Sequence, residues 1–399
     1  MPVTPFRNMI YLATLPILGV YTRGHYQVEW AGDPFFYQNK MIRHLEKNRF
    51  LGGVVFGRSG ERSSTALVSL SYPPHLTARD TLFRVASITK TAVAVVSLRL
   101  VEKGILPLHE SIHTLLPTGE ATERLKGITL HHLLSHRSGL RDTPAYQQAL
   151  TKRQTFHHVL LQEGTVSDAQ PGQEFRYSNF GYGLVGCLWE SVMGKSMETI
   201  MQEELLLPLQ MRGTLDGSTL SPEQVMPVER VHPYWSGREV RIPALGRHPL
   251  QGTDPLHRFG ITAGSLYTDA VSLSKLLDVI SPCPQASCPP LLSVDSIRDM
   301  TSPHSHYGKV SPTLSYGLGL TILKDPAISD EPIYGHQGYA YGCAHGMFIG
   351  ANSGQQLISL NGGCSEARIG MMGRCSLALL RWAWQKEFPH WSEVNGTGT

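Results

Sequence analysis

The stretch FRVASITKTAVAVVSLRLVEKG, residues 83–104, places Ser87 three residues before Lys90 at the start of a nearly apolar run. Residues three apart share one face of a helix, so the Lys90 amine can meet the Ser87 hydroxyl. A lysine buried at such a place is unfavourable unless it has a partner or a task. Two interpretations are open at this point: Ser87 is a nucleophile that Lys90 activates, or Ser87 caps the helix.

The run that follows, residues 92–103, leaves little polar face, which predicts a helix buried on most sides. A second Ser-x-x-Lys, from Ser272 to Lys275, has a different setting. Asp269 can cap that helix, leucines supply its apolar face, and Lys275 can point to water. We therefore predict that the second copy is structural.

The composition indicates a folded chain without a nucleic-acid signature. The 399 residues are 41% hydrophobic and 17% charged, and the net charge is only +3. These values favour a globular protein with a sizeable core and give no support for a nucleic-acid partner. A small molecule or a short peptide is the expected partner, and the oligomeric state is open.

The cysteines and the N-terminus leave the compartment open. No Cys-x-x-Cys occurs. Cys283 and Cys288 lie in a proline-rich loop, and the sequence does not decide whether they form a local disulfide or stay free thiols. Residues 1–30 contain an apolar run of signal-peptide length that is too short to span a bilayer. No small-x-small cleavage site follows this run, so a signal peptide, a membrane-associated segment and a buried segment are all open, and the first two favour an extracytoplasmic or membrane-associated location.

Strand patterns occur near both ends of the chain, with helical patterns between them. Residues 51–73 predict an antiparallel hairpin, and residues 332–363 predict further strands. We expect an α/β (α+β) fold whose antiparallel sheet is built from both chain ends and flanked by helices. We also expect a helical lobe inserted at roughly 107–302, a single domain over 31–390 and a tail at 391–399.

Two motifs that are typical of known hydrolase classes are missing from the sequence. No Gly-x-Ser-x-Gly elbow and no His-Glu-x-x-His occurs. His132 and His136 are four apart, so they could share a metal on one helix face. Since no carboxylate or third histidine stands at a useful spacing, we predict buried, hydrogen-bonding histidines and no metal.

Two further short patterns follow the Ser-x-x-Lys. Tyr177-Ser-Asn179 lies between a Pro-Gly turn and an apolar helix, and His336-Gln-Gly338 lies at the mouth of a strand. Each pattern recurs elsewhere in the chain, so neither is specific alone. The evidence lies in the order of the three patterns along the chain and in the segments that surround them.

In this order the three patterns resemble the serine β-lactamase and penicillin-binding-protein superfamily, and within it the class C β-lactamase-related branch. The likeness extends to whole segments, such as ITLHHLLSHRSGL, PGQEFRYSNFGYGLVG and AGSLYTDAVSLSKLLDVI, and covers residues 51–380. It implies a β-lactamase/transpeptidase-like fold. It also places Ser272 and Lys275 in a structural helix.

The resemblance implies roles for individual residues. Ser87 matches the acylated nucleophile, and Lys90 matches the lysine that accepts or relays its proton. Tyr177 matches the tyrosine that shares the base role and protonates the leaving group. Asn179 matches the amide that orients substrate and holds the Lys90 amine.

The late strand supplies the remaining matched positions. His336 stands where many relatives carry the lysine of Lys-Thr-Gly, and Gly338 would keep the strand bare for substrate. The backbone N–H groups of Ser87 and Tyr339 would form the oxyanion hole. A neutral imidazole at His336 cannot hold a substrate carboxylate as an ammonium does, which favours ester or small-amide substrates.

The main hypothesis is a serine hydrolase that forms an acyl-enzyme on an ester or amide, such as a small ester, a D-amino-acid peptide or a β-lactam-like compound, with no cofactor. An acyltransferase using the same residues is the first alternative. A non-catalytic relative that binds a peptide or cell-wall fragment is the second.

Overall fold

The computed structural model describes residues 26–32, 52–70, 80–152, 154–221, 224–225, 259–281, 290–340, 343–362, 368–369 and 372–384. The expected N-terminal segment (apart from residues 26–30), the Cys283–Cys288 pair and the tail at 391–399 lie outside the described residues. Among the described helices, none combines the length and the apolar character needed to cross a membrane.

The main sheet has nine antiparallel strands that come from both ends of the chain, as predicted. These strands are β1 (Tyr26–Gly32), β2 (Gly52–Ser59), β3 (Arg62–Leu70), β7 (Ser305–His306), β8 (Leu314–Tyr316), β9 (Thr321–Leu323), β10 (Ile333–Ala340), β11 (Cys343–Gly350) and β12 (Gln356–Gly362). Their order is β1-β3-β2-β12-β11-β10-β9-β8-β7. The predicted hairpin is β2 and β3, and β2 also pairs with β12, which joins the two chain ends in one sheet.

Two small sheets complete the strands. Strands β4 (Phe83–Arg84), β5 (Gly213–Thr214) and β6 (Tyr267–Thr268) form one, and β13 (Arg368–Ile369) and β14 (Met372–Gly373) form the other. Strand β4 leads directly into Ser87. The first small sheet therefore fixes the backbone on the N-terminal side of the candidate nucleophile.

All but one of the described α-helices lie between β3 and β7. They are α1 (Thr89–Glu102), α2 (Glu120–Glu123), α3 (Leu130–Leu134), α4 (Pro144–Lys152), α5 (Phe156–Leu160), α6 (Asn179–Met193), α7 (Met197–Met201), α8 (Ile261–Gly264), α9 (Ala270–Val279), α10 (Val294–Thr301) and, after the sheet, α11 (Arg374–Trp384). A π-helical turn, Gln202–Leu206, follows α7, and single 3₁₀ turns cover Ala86–Ile88, Ile112–Leu115, Gly217–Thr219 and Gly308–Val310.

Helix α1 runs through the centre of the molecule and is buried on most sides, as predicted. It begins at Thr89, three residues before the predicted start at Ala92. The first turn is polar yet buried, because its side chains bond to neighbouring segments; the Thr91 hydroxyl, for example, donates to the Gly319 carbonyl at 2.8 Å. An apolar pattern cannot reveal such a turn.

Helices α6 and α8 approach each other closely beside α1. A Cβ atom at Gly183 would lie only 1.8 Å from the Phe259 carbonyl oxygen, so only glycine permits this contact. The Thr262 hydroxyl donates to the Tyr182 carbonyl at 2.8 Å and fixes the pair. This packing brings the backbone of Ala263 against α1, where it becomes part of the candidate site.

Candidate active site

Ser87 lies in the 3₁₀ turn Ala86–Ile88, between strand β4 and helix α1. The side chain is half-buried and makes no capping hydrogen bond to either helix start, so the capping interpretation is wrong. The preceding residue, Ala86, has a φ of 49°, a left-handed conformation that a residue with a Cβ seldom adopts. Backbone strain of this kind is typical of functional sites, where surrounding contacts hold the residue in place.

Lys90 is fully buried at the start of α1, and its Nζ atom has three oxygen neighbours. The distances are 3.2 Å to Ser87 Oγ, 2.8 Å to Asn179 Oδ1 and 2.6 Å to the Ala263 carbonyl oxygen. An amide oxygen and a carbonyl oxygen can only accept hydrogen bonds. A neutral amine has two N–H groups for these two acceptors, and its lone pair is then left for the Ser87 hydroxyl proton.

Burial also favours the neutral amine energetically. It lowers the pKa of Lys90 from the usual 10.5 to about 7, while the negative charge of Asp142 acts in the opposite direction. Loss of hydration disfavours the ammonium form, and the neighbouring carboxylate restores part of its stability. Lys90 therefore titrates near neutral pH, where a general base is most effective.

Asp142 orients the amide of Asn179. The carboxylate accepts hydrogen bonds from Asn179 Nδ2 at 2.7 Å and from the backbone N–H groups of Asn179 and Phe180, both at 2.9 Å. Because the Nδ2 group is held by Asp142, the Oδ1 atom faces Lys90. The carboxylate also satisfies N–H groups at the positive end of α6.

Tyr177 lies next to Lys90, as predicted. The Lys90 Nζ atom is 5.0 Å from the centre of the Tyr177 ring, and the ring packs on His136 with 4.1 Å between centroids. A second phenol, Tyr182, is nearly as close to Lys90 at 5.4 Å, but its hydroxyl donates to the Leu134 carbonyl at 2.7 Å. Burial raises the pKa of Tyr182 well above 10, so the half-buried Tyr177 is the better candidate for proton transfer.

The two histidines at positions 132 and 136 each accept a hydrogen bond from a backbone N–H group, His132 from the N-cap of its own helix and His136 from a distant segment. His132 Nδ1 accepts from the Thr129 N–H in a capping box, and His136 Nδ1 accepts from the Ser178 N–H at 3.1 Å. Burial lowers the pKa of His136 well below 6.5, and Lys90 and His336 lower it further. The prediction of a buried, hydrogen-bonding histidine is confirmed for His136, which also supports the Tyr177 ring.

His336 is buried on β10, and both ring nitrogens have partners. Nδ1 lies 2.6 Å from the Gln337 carbonyl oxygen and must carry the proton, because a carbonyl only accepts. Nε2 then accepts from the Tyr316 hydroxyl at 3.0 Å. Burial, assisted by the nearby Lys90, lowers the pKa of His336 to about 3, so the ring is neutral as predicted. Its contact with a substrate stays a prediction.

Gly338 allows β10 to approach the turn that carries Ser87. A Cβ atom at Gly338 would lie 2.2 Å from the Val85 carbonyl oxygen, and Val85 is two residues before Ser87. The glycine thus has a packing reason besides the predicted exposure of the strand to substrate. The backbone of Tyr339 follows on the same strand, and its hydroxyl donates to Gln337 Oε1 at 2.7 Å.

The second Ser-x-x-Lys is structural, as predicted. The Ser272 hydroxyl accepts from the Arg212 N–H at 2.9 Å, and the Ser272 N–H donates to Asp269, which caps α9. Lys275 donates to the Gln210 carbonyl at the surface. The two copies of the motif are therefore distinguished by burial of the lysine.

Sequence reasoning missed three groups in the site: the Asp142 carboxylate, the Ala263 carbonyl and the Tyr316 hydroxyl. Asp142 comes two residues after the end of the matched segment ITLHHLLSHRSGL, and this position is its only sequence signal. Ala263 acts through its backbone, which no side-chain pattern reports. Tyr316 lies on the short strand β8, which is separated from β10 by β9, and only its side chain reaches His336.

Comparisons with known proteins identify the family of the chain. A family model described as Beta-lactamase matches residues 41–360. The chain is 28% identical over 190 residues to Penicillin-binding protein 4* of Bacillus subtilis (strain 168), an alignment that covers 45% of this chain and 41% of that protein. It is 26% identical over 340 residues to Esterase EstB of Burkholderia gladioli, covering 75% of this chain and 81% of the esterase.

A solved structure extends the likeness to the fold. The D-amino acid amidase of Ochrobactrum anthropi SV3, in complex with D-phenylalanine, superposes with a TM-score of 0.64 at 22% identity and covers 86% of this chain and 97% of the amidase. The predicted β-lactamase/transpeptidase-like fold is confirmed. The family model spans well over half of the 399 residues, and the chain therefore belongs to the Beta-lactamase family.

Proposed function

We propose that this protein is a serine hydrolase that cleaves an ester or amide through an acyl-enzyme on Ser87. The observation that carries the proposal is the position of Lys90 Nζ, 3.2 Å from Ser87 Oγ and bonded to two groups that only accept. A serine hydroxyl is a weak nucleophile until a base removes its proton. Lys90, with its pKa lowered to about 7, is such a base.

Acylation begins when the Ser87 hydroxyl attacks the substrate carbonyl carbon. The proton of the hydroxyl passes to the Lys90 amine as the new C–O bond forms, and the carbonyl oxygen becomes an oxyanion. The proton then reaches the departing alcohol or amine through Tyr177, whose ring is 5.0 Å from Lys90 Nζ. Collapse of the oxyanion expels the leaving group and leaves the acyl-enzyme.

Deacylation repeats these steps with water as the nucleophile. Water gives its proton to the same base and attacks the acyl carbon, and Ser87 leaves with a proton returned by Lys90. We assign stabilisation of both oxyanions to the backbone N–H groups of Ser87 and Tyr339. In other serine hydrolases the loss of one such donor costs about 3–4 kcal/mol of transition-state stabilisation.

The electrostatics of the site favour an uncharged acyl group. His336 is neutral and buried, and its two nitrogens are already bonded. It therefore offers no positive charge to a substrate carboxylate. We infer that small esters and amides are better substrates than D-Ala-D-Ala peptides or β-lactams, whose carboxylates need a cation. The names of two relatives, an esterase and a D-amino acid amidase, support the same class.

Covalent labelling tests the proposal directly. The protein is incubated with a fluorophosphonate, which carries no carboxylate, and its intact mass is measured. The parent is expected to gain one adduct, and Ser87→Ala is expected to gain none. The matched control is Ser272→Ala, which removes the serine of the structural Ser-x-x-Lys and should label like the parent.

A panel of acyl esters and D-amino-acid amides then separates hydrolysis from transfer. Product analysis with and without a competing alcohol or amine shows which nucleophile takes the acyl group. Dominant transfer to the added nucleophile would identify an acyltransferase that uses the same residues. Labelling of Ser87→Ala at the parent's rate would contradict the catalytic assignment altogether.

A further inference from the structure

Two histidines and a carboxylate from distant parts of the chain meet outside the candidate active site. His131 lies on α3, Asp299 lies in the last turn of α10, and His304 lies directly before β7. One ligand atom of each residue is within 4.8 Å of those of the other two. Since 168 residues separate His131 from Asp299, the fold alone creates this cluster.

The side chains of the cluster are partly buried and make few hydrogen bonds. His304 Nε2 lies 3.1 Å from Asp299 Oδ1 and 2.8 Å from the Asp299 carbonyl oxygen. The His131 ring meets the His304 ring edge-on with 4.6 Å between centroids, and within the described part of the chain neither His131 ring nitrogen takes part in a hydrogen bond. The side chains of His304 and Asp299 are 16% and 35% exposed, so solvent reaches the cluster.

From this arrangement we propose that His131, Asp299 and His304 bind a divalent transition-metal ion of the zinc class. Imidazole nitrogen and carboxylate oxygen are ligands that zinc accepts, with bonds of about 2.0–2.2 Å. In a tetrahedral site such bonds place the ligand atoms about 3.4 Å apart. The His304–Asp299 separation of 3.1 Å is already near this value, and the 4.8 Å limit means that the His131 ligand atom has to approach by at most about 1.4 Å.

Binding needs a small rearrangement of hydrogen bonds. His304 Nε2 would give up its contact with the Asp299 carbonyl, and the ring proton would move to Nδ1. The fourth position would hold water, with the His109 ring nearby at 5.2 Å from the His131 ring. His109 therefore belongs to the surroundings of the ion in this proposal.

The ion would tie α3 to the segment that joins α10 to β7. These segments already touch, because the Ser305 hydroxyl donates to the Ser135 carbonyl at 2.8 Å. Helix α3 ends at Leu134, whose carbonyl accepts a hydrogen bond from the Tyr182 hydroxyl. His136, two residues later, packs against the Tyr177 ring. The proposed site is thus a structural clamp behind one wall of the candidate active site. It shares no ligand with the acyl-transfer machinery, so either proposal can fail without the other.

The test uses the full chain after treatment with a chelator. Zinc is titrated in by calorimetry, and cobalt is used as a substitute because a four-coordinate Co²⁺ site with nitrogen and oxygen ligands absorbs visible light. We expect one zinc per chain and a cobalt spectrum typical of tetrahedral coordination. The midpoint of thermal unfolding should rise by about 3 °C when free zinc exceeds its Kd about 100-fold.

Two variants address the ligands. Asp299→Asn keeps the size of the side chain and the backbone carbonyl but removes the charge, and His131→Gln removes an imidazole that makes no hydrogen bond. Each should weaken zinc binding at least tenfold and abolish the cobalt band, with an unchanged circular dichroism spectrum. The matched control is His158→Gln, a half-buried histidine on α5, which should bind like the parent.

Three results would overturn the proposal. The first is a zinc Kd of about 1 mM or weaker in the parent. The second is stoichiometric binding that survives in both Asp299→Asn and His131→Gln. The third is loss of binding in His158→Gln to the same extent as in the ligand variants, because that would indicate unspecific attachment to surface histidines.

Discussion

The substitution Lys90→Met measures how much the buried lysine of the candidate site lowers the free energy of unfolding. The pKa of Lys90 is lowered by burial from 10.5 to about 7, so the native state disfavours the ammonium form that the unfolded chain carries. A shift of this size corresponds to about 5 kcal/mol of lost stability at pH values below 7. Methionine removes this penalty, although it leaves Asn179 Oδ1 and the Ala263 carbonyl without their donor, at about 1–3 kcal/mol each.

The dependence on pH isolates the titration of Lys90 from these lost hydrogen bonds. Between pH 7 and 10.5 the unfolded chain binds about one proton more than the native protein at this site, so the stability of the parent rises with pH. No such gain occurs in Lys90→Met. The difference in free energy of unfolding, variant minus parent, should therefore fall by about 3 kcal/mol between about pH 6 and about pH 9.

Urea unfolding followed by tryptophan fluorescence measures this difference at both pH values. Lys275→Met is the matched control, since it removes the lysine of the structural Ser-x-x-Lys at the surface. If the gap between Lys90→Met and the parent stays constant within about 0.5 kcal/mol, Lys90 does not titrate near neutral pH and its role as the base loses its support.

Three further predictions concern activity on the ester or amide that the substrate panel identifies. In the parent, kcat/KM should fall about tenfold per pH unit below pH 7, because protonated Lys90 cannot take the Ser87 proton; a flat profile down to about pH 5 would contradict this. Asp142→Asn should lower kcat by about 10- to 100-fold, because Asn179 loses its orientation. It should also move the fall of kcat/KM on the acid side to lower pH, because a charge that raises the pKa of Lys90 is gone. A drop in kcat without this movement would limit Asp142 to a structural role. In Gly338→Ala the new methyl group meets the Val85 carbonyl, so β10 must shift. In the same assay kcat/KM should fall by about 100-fold. Activity like that of the parent would show that the strand need not lie so close to the Ser87 turn.

The candidate residues that were predictable from the sequence are those whose type the proposed chemistry requires. Ser87, Lys90, Tyr177 and Asn179 belong to short patterns in a fixed order, and the structure brings Lys90 together with the other three. The sheet was also predictable, because strand patterns at both chain ends have to pair somewhere. Here β2 and β12 do so.

Groups that act through tertiary contacts were not predictable from local patterns. Asp142 bonds to an amide 37 residues later, and Tyr316 on β8 bonds to His336 on β10, two strands away in the sheet. The early start of α1 at Thr89 has the same origin, since its polar first turn is buried by contacts with other segments. Contacts between distant segments produce no local hydrophobic period, so a sequence pattern does not reveal them.

Burial of Lys90 links the chemistry of this site to its stability. The loss of hydration that makes the ammonium form unfavourable also leaves the amine neutral in about half of the molecules at pH 7, against about 1 in 3,000 for a lysine with an unperturbed pKa. A substitution that opened the site to water would raise the pKa of Lys90, relieve the native state and lower activity together. Stability and acylation rate should therefore change in opposite directions among variants that alter only the hydration of this amine, and a series in which both rise would show that the base is activated by something other than burial.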